Sequence, residues 1–64
     1  MERVGIRVAQ AGLGGLVQQA ESGRRVMLTR HGEAVAALVS AREGQLLEEM
    51  ERAGVLGEAL ERMG

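Results

Sequence analysis

The chain reads as an α+β fold, on three observations made along its 64 residues. Charged and apolar residues alternate near its start, two apolar runs of strand length flank a glycine turn near its middle, and apolar residues recur at helical spacing before and after that pair. The predicted order is a short N-terminal strand, a helix, a β-hairpin, then a C-terminal helix and a partly disordered tail.

The strand is RVGIRV, Arg3 to Val8, in which Val4, Ile6 and Val8 share one side of a period-2 pattern. The helix covers about residues 9–22, where Leu13, Leu16, Val17 and Ala20 fall at helical spacing and Gly23 supplies a stop. Gly12, Gly14 and Gly15 each cost about 1 kcal/mol relative to alanine in a helix interior, so this helix is weak in isolation. The hairpin joins Val26–Thr29 to Val35–Val39 around His31-Gly32, because glycine takes positive φ freely and histidine tolerates it. Both runs are nearly continuous in apolar character, which predicts strands buried on both faces and a second copy of the chain as cover. Val26, Leu28, Val35, Ala37 and Val39 are assigned to that dimer interface.

After Ser40 the period changes to 3.6. Ser40 with Glu43 makes a capping box, and Leu46, Leu47, Met50 and Ala53 line one stripe of the helix that follows. Gly54 and Gly57 interrupt it. A last amphipathic turn or two carries Leu56, Ala59, Leu60 and Met63, predicted to be helical only in part or only when bound.

Composition narrows the function. A core this small ends near zero net stability on its own, and the usual staples are missing. There is no cysteine for a disulfide, and a single histidine without cysteine makes no structural zinc site, so no metal or cofactor is expected. Self-association or a partner must supply the rest. With no aromatic residue there is no platform for stacking single-stranded bases. No apolar run reaches the length of a membrane span and no leader pattern is present, so the chain is expected to be cytoplasmic. It offers Ser22, Thr29, Ser40, one histidine and nine glutamates without Asp, Cys, Tyr or Lys, and no arrangement of them suggests catalysis.

The net charge of −1 conceals a division. Residues 1–32 hold five arginines against two glutamates, a net +3, whereas residues 33–64 hold three arginines against seven glutamates, a net −4. A basic half and an acidic half predict two different partners. Arg7 closes the first strand, Arg24 and Arg25 open the hairpin, and Arg30 with His31 stands at its tip. The rigid guanidinium fork suits phosphate and guanine edges, which makes duplex DNA the candidate for the basic half.

The order strand, helix, GRRVMLTRHGEAVAALVS and acidic amphipathic tail resembles the antitoxins of the prevent-host-death (Phd/YefM) family over about residues 3–50. Its most specific part is Val26 to Val39. The resemblance implies two parts: residues 1–42 as a homodimeric DNA-binding domain, with pairing into tetramers left open, and residues 43–64 as a toxin-binding tail. It further implies autorepression of the operon by binding duplex operator DNA, and neutralisation of a cognate toxin, most plausibly a ribonuclease. Arg30 matches the family's DNA-contacting hairpin arginine. Gln10 stands where a second family arginine lies early in the first helix, with Arg7 nearby in the preceding strand to compensate. Leu46, Leu47, Met50, Leu56, Leu60 and Met63 are the groups expected to enter a toxin groove. The rival reading is a small dimeric protein-interaction module without DNA binding. A ribbon-helix-helix repressor fits badly, because a hairpin occupies the middle of the chain.

Overall fold

A computed structural model describes residues 1–64. The fold is α+β: β1 (Glu2–Gly5), α1 (Ile6–Ala11), α2 (Leu13–Glu21), β2 (Val26–Arg30), β3 (Glu33–Leu38), α3 (Ala41–Arg52) and α4 (Leu56–Met63). The strands form one sheet in the order β1-β2-β3, with β1 parallel and β3 antiparallel to β2.

The hairpin turns at His31-Gly32, where φ is +51° and +80°. Positive φ at both central residues is the conformation whose twist matches that of the flanking strands. Opposite Leu28 and Thr29 the register shifts, pairing them with Ala36 and Ala34, so that Val35 forms a bulge. The bulge separates the last two residues of β2, Thr29 and Arg30, and the first two of β3, Glu33 and Ala34, from the regular ladder behind them.

The start of the chain departs from its period-2 pattern. β1 ends at Gly5 instead of Val8, and Ile6, Arg7 and Val8 are helical. The reason is the partner strand: β1 pairs from Glu2↔Val26 to Gly5↔Thr29, and the hairpin turns away one residue later. Without a ladder to join, the backbone turns helical, and Ala9 is buried with Ile6 half-buried one turn before it. The predicted single helix is likewise two, broken at Gly12, whose φ of −125° and ψ of 32° lie outside the helical region.

Leu16 and Ala20 of α2 and Ala9 of α1 are buried, and Ala9, Leu16 and Val26 form the core, with Val4, Leu28 and Leu38 packed against it. Val26 is fully buried within its own chain. This full burial corrects its assignment to a dimer interface, whereas Leu28, on the same side of the strand, packs against the core and stays half-buried. Val35 and Ala37 remain exposed, and Val39 lies one residue beyond β3. The helices cover one face of the sheet only, so the strands are not buried on both faces as their apolar character predicts.

Ser40 caps α3 as read: the Glu43 N–H donates to Ser40 Oγ at 3.2 Å. The reciprocal half of the capping box is replaced. Ser40 Oγ donates to Glu43 Oε1 at 3.5 Å, while Glu43 Oε2 accepts from Arg25 Nε at 2.5 Å. α3 begins at Ala41, so the predicted boundary at 42/43 falls within its first turn. Ser40→Ala should cost about 1 kcal/mol of helix stability. Faster amide exchange confined to the first turn of α3 is the expected readout, and unchanged exchange there would contradict the cap.

α3 ends in a Schellman closure, with Val55 N–H donating to the Met50 carbonyl, Gly54 N–H to Glu51, and Gly54 at φ +78°. α4 then follows in contact with α3, and Leu56–Met63 is helical throughout where composition predicts partial helicity. The two helices form an arm that stands off the sheet. Its apolar stripe is open: Leu46, Leu47, Leu60 and Met63 are exposed, while Met50 and Leu56 are half-buried.

Candidate nucleic-acid interface

The parallel pairing of β1 with β2 carries the chain to the hairpin tip just as α1 begins. Arg7, the second residue of α1, is therefore brought beside Arg30 and His31. Gly5, Ile6, Arg7, Val8, Thr29, Arg30, His31 and Gly32 line one open cleft of about 570 Å³. No carboxylate is among them. Neither Arg7 nor Arg30 has an ion-pair partner, since the two salt bridges of the chain are Arg25–Glu43 and Arg52–Glu48. Of the cleft side chains that can donate to an anion, Arg7, Arg30 and His31 are exposed and Thr29 is half-buried. Two uncompensated guanidinium forks and an imidazole on one concave surface suit phosphate oxygens, which accept paired hydrogen bonds and carry the opposite charge.

The remaining predicted contacts are not brought to this cleft. Gln10 lies on α1 one turn beyond Arg7, exposed but outside the lining. Arg24 and Arg25 precede β2 and so stand at the opposite end of the strand from Arg30. Arg25 is also engaged by Glu43, a pair whose side chains are 57% and 27% exposed. A pair so open to solvent contributes little to stability, but it sets a carboxylate against one predicted DNA contact. Arg7 itself belongs to a helix instead of the strand predicted for it.

Sequence reasoning missed Arg3. Its guanidinium reaches along the sheet to the Gly32 carbonyl, donating from Nη2 at 3.5 Å, and adds a third arginine close to the tip. The missing signal was the parallel register, which places Arg3 to Gly5 alongside Met27 to Thr29. Periodicity along one strand does not specify which strand it pairs with.

No group of three or more acidic or histidine side chains is placed to hold a metal ion, and no helix is long and apolar enough to cross a membrane. No protein-family model, curated protein or solved structure matches the chain.

Proposed function

We propose that this chain is an antitoxin of the toxin–antitoxin class, acting in the cytoplasm as a homodimer, that represses its own operon through duplex DNA and neutralises a toxin protein. The observation that carries the reading is the convergence of Arg7, Arg30 and His31 on one cleft free of carboxylates, at the end of the sheet away from the arm. The cleft meets DNA phosphates. The arm offers a partner protein the open stripe of Leu46, Leu47, Met50, Leu56, Leu60 and Met63, in the manner of a helix laid into a groove. An acidic arm and a basic body also keep the two partners apart, because the carboxylates of α3 and α4 repel DNA. The resemblance to Phd/YefM antitoxins supports the same division and makes an RNA-cleaving toxin the partner to try first. The chain is not proposed to catalyse a reaction.

A mobility-shift titration of the full chain on the duplex upstream of its own gene, repeated over a range of salt, tests the DNA half. Each phosphate contact contributes about −0.9 to the slope of log affinity against log salt. Arg30→Ala should weaken binding on all sequences alike and flatten the slope by about one unit per chain. Unchanged affinity and slope would remove Arg30 from the interface. A complete lack of salt-sensitive binding by the unaltered chain would leave the arm as its active part, which is the protein-interaction reading.

A further inference from the structure

We infer that the cleft binds phosphate together with a proton: His31 meets the phosphate oxygens as imidazolium, so that binding strengthens as pH falls from 8 to 6. The inference rests on the reading of the cleft as a phosphate site and adds to it the charge state in which its third ligand acts.

The hairpin would close better with a different residue at its tip. Both central positions take positive φ, +51° at His31 and +80° at Gly32. The pair that suits such a turn best is Asn-Gly, because the short amide of asparagine hydrogen-bonds locally in the left-handed region. The imidazole is also idle within the chain. It is exposed, and none of the side-chain hydrogen bonds or ion pairs includes it. A side chain held in a sparsely populated backbone conformation, with no partner of its own, points to a use outside the fold.

The charges around that imidazole are those of an anion site. His31 lines the cleft with Arg7 of α1 and Arg30 of β2. Arg3 of β1 reaches the same turn through the Gly32 carbonyl. The one carboxylate beside the turn is Glu33, the first residue of β3. Glu33 stands opposite Arg30 in the ladder, yet it makes no ion pair with it and does not line the cleft. The imidazolium therefore has no counter-charge in the cleft until an anion enters.

Proton and phosphate then assist each other. Neutral imidazole offers a phosphate one N–H and one lone pair that repels it, whereas imidazolium offers two N–H donors and a full positive charge. Histidine is the side chain whose ordinary titration falls between pH 5 and 8, while guanidinium stays charged throughout, so the imidazole alone makes the cleft sensitive to pH. An anion at contact distance favours the charged form of such a group by roughly tenfold or more, and linkage requires the proton to favour the anion by the same factor.

The test measures operator binding by the full chain at pH 6 and pH 8 over a range of salt, for the unaltered chain, His31→Asn and Glu33→Gln. Affinity of the unaltered chain should fall roughly tenfold per chain from pH 6 to pH 8, and its salt slope should be steeper at pH 6 by up to about 0.9 per chain, one further phosphate contact. His31→Asn puts the favoured residue into the turn, so it should melt no lower than the unaltered chain, yet its affinity and slope should be the same at both pH values. Glu33→Gln should keep the pH dependence. An undiminished pH dependence in His31→Asn, or its loss in Glu33→Gln, overturns the inference, as does salt-sensitive binding by the unaltered chain that ignores pH. Failure to bind duplex at either pH would overturn the DNA reading instead, and the proton is then followed without DNA. Sulfate, which keeps its charge across this range, should move the His31 ring signals in the NMR spectrum toward those of the charged form, and should not do so in the Arg7→Ala, Arg30→Ala variant. Ring signals that ignore sulfate would then overturn the inference as well.

Discussion

Leu16→Ala is expected to abolish cooperative melting of the chain. Of the three core residues, Ala9 contributes little apolar volume, so Leu16 and Val26 supply most of the contact between helices and sheet. Truncating a buried leucine costs about 2–5 kcal/mol, through lost transfer free energy and the cavity left behind. A domain this small holds a net stability of only a few kcal/mol, so one such loss equals the whole of it. Leu60→Ala is the control. Leu60 is 57% exposed on α4, and its loss should leave the melt of the body unchanged. Circular dichroism melts of the two variants at equal concentration decide the matter. A sharp, wild-type-like transition for Leu16→Ala would place the stabilising contacts elsewhere.

The second large effect is on DNA. The Arg7→Ala, Arg30→Ala double variant removes both guanidinium groups from the cleft and leaves His31. If each contacts one phosphate, the dimer loses four contacts, and the salt slope should fall by roughly 3.6 units. Affinity at low salt should fall by orders of magnitude to the level of non-specific attraction. Folding should be unaffected, because both side chains are exposed and make no ion pair. Arg25→Ala is the informative comparison, since its guanidinium is already held by Glu43 at the far end of β2. It should change the slope by less than Arg30→Ala does. Equal losses at the two positions would argue for diffuse attraction to a basic surface over a defined cleft.

What was legible in the sequence was local. His31-Gly32 declared the turn because the chemistry of positive φ is written in two adjacent residues, and Ser40 with Glu43 declared the start of α3 for a similar reason. The misreadings all depend on what lies across space. Ile6 and Val8 satisfy a strand pattern, but whether they form a strand depends on how far β2 runs beside them. Val26 and Leu28 are apolar for the sake of their own helices, and an apolar run does not say which of two neighbours covers it. The candidate site shows the same division. Arg30 was readable as a tip residue from the turn alone. Its companionship with Arg7, the nearness of Arg3 and the capture of Arg25 by Glu43 are products of the parallel register and of where α3 begins.

The acidic arm and the thin core have one physical origin. A chain with no aromatic residue and four buried residues leaves most of its apolar surface exposed, as chains built to meet a partner do. The proposed homodimer makes its fold depend on concentration. The most direct test is the melting temperature of the full chain over a thousandfold range of concentration, followed by circular dichroism. The proposed homodimer predicts that Tm rises steadily with concentration and that the folded signal fades on dilution. A Tm that stays constant over the whole range, with sedimentation as a folded single chain throughout, would contradict it.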